Sequence, residues 1–325
     1  MTLSELLATY TAHSGNFTWI NIDDPDTEHL NALKTLHPFN DLNLEDCLSE
    51  TQIPKIDEYD DYLFIVLHFP RYVKAKRYSV PIQLSVFLGK NFLVTVHNGE
   101  LKPLQNLFST YRKGNHPVAE SNGRNQPANG LSSPASLLYS IIYNLSENLF
   151  VMSSKILTSI VEIEEAVFDE HVSAVHEVTG LRHNLANFRR IVFPLKRVIH
   201  DLEKKVLQFT REDMGIYFSD LTDYIDKVWT TLEECRETLD IYKETDIIIS
   251  SNRTNKILTV LTILFTFSIP VTVMGTLYGM NVHLPGGVDK PWMFLGPYTT
   301  FIVIMTASIM QVLCMFYIFR RLRWL

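Results

Sequence analysis

Cysteine is scarce in this chain, and charge is missing from its last part. Only three cysteines occur in 325 residues, Cys47, Cys235 and Cys314, odd in number and far apart. They form no CxxC pair and no disulfide framework, which fits a reducing compartment. The sequence also lacks a P-loop, an HExxH motif, a GxSxG elbow and any recognisable nucleophile–base set. Catalytic chemistry therefore finds no residues to carry it, and the chain is read as a non-enzyme. Basic residues are outnumbered, 29 Lys and Arg against 36 Asp and Glu, for a net charge of −7. That balance argues against nucleic acid and against a polybasic lipid-binding surface. Met1 to Tyr10 has neither a basic n-region nor a long apolar core, so no signal peptide is read there.

No Asp, Glu, Lys or Arg lies between Lys256 and Asp289, and none from Trp292 to Phe319. The apolar run Ile257 to Leu277 has about the 20 residues that carry a helix across a bilayer core. The second uncharged run supplies another span. Arg253 and Lys256 precede the first span, Arg320, Arg321 and Arg323 follow the second, and the connecting loop carries only Asp289 and Lys290. The positive-inside bias then places both termini in the cytoplasm and the loop outside a plasma or inner membrane. Trp292, Tyr298, Tyr317 and Trp324 stand where interfacial aromatic anchors are expected.

The remainder reads as a soluble α/β region followed by helices. Asn16 to Ile22 predicts a strand. Pro25 opens a helix through Leu36, and Asp41 to Leu48 predicts a second. Asp61 to Phe69, Pro81 to Leu88 and Asn91 to His97 are β-branched and apolar, the last two joined by a Gly89-Lys90 hairpin signal. Residues 1–112 are thus taken as a cytoplasmic α/β domain, and 113–134, rich in Gly, Asn, Pro and Ser, as a linker. Ser133-Pro134 is an N-cap with proline at N1, opening the cytoplasmic helices of 135–212. Pro194 predicts a kink or break in the segment Ser173 to Val206. A long helix over 213–281 runs into the first span, since no Pro or Gly occurs from Ile216 to Ile269. Some 60 helical residues would span roughly 90 Å at 1.5 Å each. Residues 282–291 form the outer loop, 292–319 the second span and 320–325 a basic tail.

Two spans cannot enclose a pore, so any transport function requires an oligomer. The first span carries Asn255, Thr259, Thr262 and Thr266 within roughly 60° of arc. Threonines in a membrane helix commonly bond back to their own i−4 carbonyls or join helices. Four polar positions on one face also suit a wet or subunit-facing surface. Pro270 predicts a bend further along.

The tail KILTVLTILFTFSIPVTVMGTLYGMN, from Lys256, and the closing RRLRWL resemble the CorA family of divalent-cation channels, whose signature is the GMN motif, here Gly279-Met280-Asn281. FTWINIDDP at Phe17, LEDCLSETQIPKIDEYDDYLFIVLHF from Leu44 and FRRIVFPLKRVI from Phe188 extend the resemblance over most of the chain. The resemblance implies a homopentameric funnel with the first spans lining the pore. It implies a selectivity filter at Tyr278, Gly279, Met280 and Asn281, with a ring of Asn281 amides that hold a hydrated ion. Mg2+ gives up its waters reluctantly, so neutral amide acceptors suit it.

Counting back from the motif, the resemblance points Asn255, Leu258, Thr262, Phe265, Ile269, Thr272 and Thr276 at the pore. Leu258 and Ile269 stand at its apolar constrictions, and Thr259 and Thr266 turn towards a neighbouring helix. Asp220, in Tyr217-Phe218-Ser219-Asp220, matches the stretch that contributes to a regulatory Mg2+ site between subunits, and a solvated acid on a helix face is the other reading of it. The basic stretch Arg71 to Arg77 leaves the partner carboxylate unplaced, and His283 stands where the family often has Glu. The implied cargo is Mg2+, with Co2+ and Ni2+ also carried. A ZntB-like Zn2+ transporter driven by protons remains an alternative, and the eleven histidines lean that way. His171 and His176 are not spaced to share one helix face. A membrane-anchored receptor or enzyme is the third reading.

Overall fold

The computed structural model describes residues 9–14, 17–49, 52–113, 133–169, 172–210, 213–280, 286, 292–294 and 296–321. The chain divides into two compact units, Met1–Glu244 and Thr245–Leu325.

The first unit is built on a six-stranded sheet of order β1-β2-β6-β5-β4-β3. Its strands are β1 (Thr11–Ser14), β2 (Phe17–Asp23), β3 (Lys55–Glu58), β4 (Tyr62–Val73), β5 (Tyr78–Gly89) and β6 (Phe92–His97). Strands β2 and β6 pair in parallel, and every other neighbour is antiparallel. The β5–β6 hairpin predicted at Gly89-Lys90 forms, with Leu88 opposite Leu93. Strand β4 shows why both sheet faces need a cover. Leu63, Ile65, Leu67 and Phe69 enter one hydrophobic core, and Tyr62, Phe64 and Val66 enter another. With a side-chain period of two, that alternation puts apolar groups on both faces.

Two short helices, α1 (Thr27–Leu36) and α2 (Asp41–Leu48), cover one face. Asp26 caps α1 by accepting from the His29 N–H, and Asn40 caps α2 through the Leu42 N–H. The other face packs against α3 (Lys102–Arg112), α4 (Pro134–Glu162), α6 (Val175–Lys205) and the start of α7 (Gly215–Gly279). A one-turn α5 (Glu164–Phe168) lies between α4 and α6. Trp19 is fully buried, and its ring meets Phe108 and Tyr111 of α3 edge-on. Its Nε1 donates to Thr95 Oγ1 at 3.0 Å, and that hydroxyl donates to Asn21 Oδ1 at 2.7 Å. The indole thus fills the α3–sheet contact without orphaning its N–H.

Ser133 caps α4 as expected, with Pro134 in the first turn, and Ser136 completes a capping box. Helix α6 passes through Pro194 without ending, where a kink or break was expected. Leu195, Val198 and Ile199 after the proline are as buried as Ile191 and Val192 before it, so packing against the sheet carries the helix across the lost hydrogen bond. Helix α7 is 65 residues long, about 98 Å at 1.5 Å per residue. In its first half the buried residues Phe218, Leu221, Ile225, Val228, Leu232, Cys235, Leu239 and Tyr242 alternate in steps of three and four. This is a coiled-coil-like seam. Arg189 of α6 pairs with Glu233 of α7 and lies over the Trp229 ring at 5.2 Å.

His97, at the end of β6, is 3% exposed. Its Nδ1 accepts from the Gly99 N–H at 3.0 Å, and its Nε2 is buried with no partner among the described residues. Burial pushes its pKa from 6.5 down to about 4, and nearby Asp23 offsets this only in part. The unfolded chain therefore binds a proton that the folded chain refuses between pH 6.5 and about 4. The stabilisation from neutral His97 is complete above that window and is lost as pH falls through it, at up to about 1.4 kcal/mol per pH unit. His97→Gln should flatten the fall in urea midpoint between pH 7 and pH 5, and a slope equal to wild type would assign the acid sensitivity to other groups.

Candidate functional site

The second unit holds the end of α7 and helix α8 (Thr299–Arg321). By length and composition, α7 and α8 are apolar enough to cross a membrane. Helix α8 begins at Thr299, later than the uncharged run that opens at Trp292. Gly296 adopts φ +100, Pro297 follows, and the Thr299 hydroxyl donates to the Gly296 carbonyl at 2.6 Å. The backbone turns there, and helix cannot extend back through it.

In the end of α7, lowered exposure is confined to Ile263, Thr266, Phe267, Pro270, Met274 and Tyr278. These positions share one helix face, and Phe267 meets Phe319 of α8 edge-on at 5.7 Å. Asn255, Leu258, Thr262, Phe265, Ile269, Thr272 and Thr276 are all exposed. At 100° per residue the centres of the two sets lie about 140° apart on the helix. The seven residues singled out from the sequence therefore lie together on a face that none of the described residues covers. Thr266 sits on the half-buried face, as expected, whereas Thr259 is exposed. The α8-facing set was not read from the sequence. Its signal was the repeat of bulky groups at 263, 267, 270 and 274, hidden in a run where almost every residue is apolar.

The threonine hydroxyls all turn back along the helix. Thr262 donates to the Leu258 carbonyl at 2.7 Å, Thr272 to Ser268 at 2.9 Å and Thr276 to Thr272 at 2.7 Å. Thr259 and Thr266 do the same, at 2.8 and 2.6 Å. With each proton committed to the backbone, the outward side of each oxygen offers lone pairs. Helix α7 continues past Pro270 to Gly279 in the structure.

Tyr278 lies on the half-buried face, Gly279 is the last helical residue, and the exposed Met280 donates its N–H to the Leu277 carbonyl at 3.3 Å. Asn281 and His283 lie outside the described residues. Gly286 was not singled out from the sequence. It has φ +80, and a Cβ there would lie 2.8 Å from a ring carbon of Trp292.

Asp220 lies far from these residues in the chain, in the first unit. It is exposed and lines a groove of about 670 Å3 with Glu203, Asp213 and Asp223. Burial, and next the charge of Asp220, push the Tyr139 phenol up from its usual range. Among the described residues no three or more His, Cys, Asp or Glu side chains are grouped to hold a metal. Arg71, at the start of the basic stretch, is taken up by Glu100 at 2.6 Å. A metal at Asp220 would thus need ligands from outside these residues.

Residues 14–321 match the family described as CorA-like Mg2+ transporter protein. The chain belongs to this family. It is accordingly a membrane protein of a family of divalent-cation transporters, not of enzymes. The CorA magnesium transporter of Methanocaldococcus jannaschii superposes with a TM-score of 0.75 at 22% identity, over 96% of this chain and 93% of that one. The full-length CmaX protein gives 0.72 at 21%, over 95% and 89%. At these identities the likeness establishes the fold: an α/β region, long helices and two apolar helices at the C-terminal end. A putative metal ion transporter of Bacillus subtilis (strain 168), YfjQ, is 32% identical over 79 residues, 24% of each chain. That match spans about a quarter of the relative's length.

Gly286→Ala should strain a left-handed backbone position and push Trp292 aside. The expected result is a shifted tryptophan emission and reduced cation uptake, with circular dichroism unchanged. Wild-type emission and uptake would show that the Gly286–Trp292 contact has slack.

Proposed function

We propose that the chain assembles as a homopentamer and conducts Mg2+, with Co2+ and Ni2+ as further cargo, across a plasma or inner membrane with both termini cytoplasmic. The observation that carries this reading is the division of α7 into two faces. One face is occupied by α8, and the other, from Asn255 to Thr276, is uncovered and mixes hydroxyl oxygens with bulky apolar groups. Five such faces enclose a lumen that a single chain cannot. Thr262, Thr272 and Thr276 offer acceptor oxygens to the waters of a hydrated cation. Leu258, Phe265 and Ile269 narrow and dry the path between them, where it can gate by dewetting.

At the outer mouth, after Tyr278, Gly279 and Met280, the Asn281 amides form the filter. Each accepts hydrogen bonds from the hydrated ion, at about 1 kcal/mol net per bond, and each of the five subunits repeats the contact. Asp220 contributes one ligand to a cytoplasmic Mg2+ sensor whose other ligands come from a neighbouring subunit. This fits the lack of a complete donor set within the described residues.

Flux into liposomes of Mg2+, Co2+, Ni2+ and Zn2+, with and without a pH gradient, tests the cargo. Mg2+ flux independent of the gradient is expected, and Zn2+ flux that requires it would select the ZntB-like reading. Asn281→Ala should abolish Mg2+ flux while leaving a mass near five subunits in detergent. Asn281→Asp should hold cations more tightly and change selectivity. Near-normal flux through pentameric Asn281→Ala would move the filter elsewhere, and a stable monomer or dimer would remove the channel itself. Added Mg2+ should protect the wild-type soluble region from proteolysis, and Asp220→Ala should weaken that protection. Unchanged protection would leave Asp220 as a solvated acid.

A further inference from the structure

A cleft of about 420 Å3 opens between α4, α6 and the turn joining β4 to β5. It falls within the range of about 300–1,000 Å3 typical of small-molecule sites. It lies wholly in the first unit and shares no residue with the pore face or with the Asp220 groove. Its charges are sorted by position. At the sheet end stand Arg77, from the β4–β5 turn, and Lys155 of α4. At the far end, where the chain turns back through α5, stand Glu162 and Glu177. Lys155 and Glu162 are seven residues apart on α4, as are Glu177 and Asn184 on α6, so each helix separates the two ends by about 10 Å. Ile156 and Leu181 line the wall between them.

None of these four charged groups has an ion-pair partner among the described residues, although eleven ion pairs form elsewhere in them. Asn184 supplies the second observation. It is 9% exposed, and its Oδ1 accepts from both the N–H and the hydroxyl of Ser79, at 3.1 and 3.3 Å. That pairing fixes the orientation of the amide and leaves its Nδ2 with no hydrogen bond to the described residues, a donor open to the cleft that Asn184 lines. Arg77 holds φ +58, a left-handed conformation that an arginine adopts at a cost, and this turn delivers its side chain to the cleft.

We propose that this cleft binds a small linear zwitterion, with its carboxylate on Arg77, Lys155 and the Asn184 amide and its ammonium on Glu162 and Glu177. The apolar wall takes a methylene chain of about 10 Å between the two heads, matching the seven-residue spacing on both helices. A dicarboxylate of the same length would set its second anion against two glutamates, and a short amino acid could not reach both ends.

The test uses the full-length chain in lipid nanodiscs with ω-aminooctanoate as the probe, read by equilibrium dialysis. Saturable binding of one molecule per chain is expected, with suberate and γ-aminobutyrate at least about tenfold weaker, a gap of about 1.4 kcal/mol. Gly180 faces the cleft, and a Cβ built there meets nothing within 4 Å. Gly180→Leu therefore starts a side chain in open space on the cleft side and replaces a poor helix former with a good one. It should abolish binding while the thermal midpoint stays at or above wild type. Lys155→Glu should weaken binding at least about tenfold. No saturable binding to wild type, equal affinity for suberate, or undiminished binding by Gly180→Leu would each overturn the assignment.

Discussion

The structure depends on how one helix distributes its faces. Helix α7 buries Phe218, Leu221, Ile225, Val228, Leu232, Cys235, Leu239 and Tyr242 at alternating steps of three and four. Continuing the same count along the sequence arrives at Ile263, Phe267, Pro270 and Met274, the residues half-buried on the face that meets α8. Every one of these positions is committed to contacts within the chain. What remains on the far side is set by exclusion, and it is where Asn255, Leu258, Thr262 and their successors lie. A polar or glycine residue in the seam would loosen a packed contact. A change on the far side leaves the monomer's packing untouched, so function can be tuned there without cost to the fold.

The α/β unit gives that helix a fixed base. Its sheet is sealed on both faces, and one of its buried polar clusters is matched in the short chain Trp19–Thr95–Asn21. Helix α6 is tied to the sheet through Asn184 and Ser79 and to α7 through Arg189, Glu233 and Trp229. An arginine shared between a carboxylate and an indole face is held in one geometry, where a lysine would keep a point charge free to swing. The contact therefore fixes the register of α6 against α7 as well as their distance.

Much of this architecture was legible in the sequence because the strongest patterns are local. The apolar alternation of β4, the Gly89-Lys90 hairpin, the Ser133-Pro134 cap and the charge-free spans each fit within a few turns of chain. The two missed strands explain the limit. Thr11–Ser14 and Lys55–Glu58 are short edge strands with few apolar residues, and their identity comes from partners at Ile20 and Val66 that no local pattern reveals. At Pro194 the helix does not break, because buried neighbours outweigh one lost hydrogen bond. The start of α8 was misplaced because hydropathy does not register a left-handed glycine at 296. At the candidate site, the proposed pore face came from counting back from the GMN motif, and helix geometry supplies the face covered by α8 opposite it. Asn281 rests on the motif, since it lies outside the described residues. The cleft charges could not be paired from sequence, because Arg77 meets the two helices only through the fold.

The committed threonine hydroxyls have one more consequence. Asn255, Thr259, Thr262 and Thr266 form a wholly polar stripe, whereas the stripe through Leu258, Thr262, Phe265 and Ile269 is largely apolar. Their centres differ by about 60° around the helix. A turn of that size, less than one residue's worth of helical rotation, exchanges a row of oxygen acceptors for a row of hydrocarbon. Because the hydroxyl protons are held by the helix's own carbonyls, they travel with it, and neither stripe needs to rearrange its bonds as it turns. Wetness along any passage lined by α7 is thus a function of a single angle.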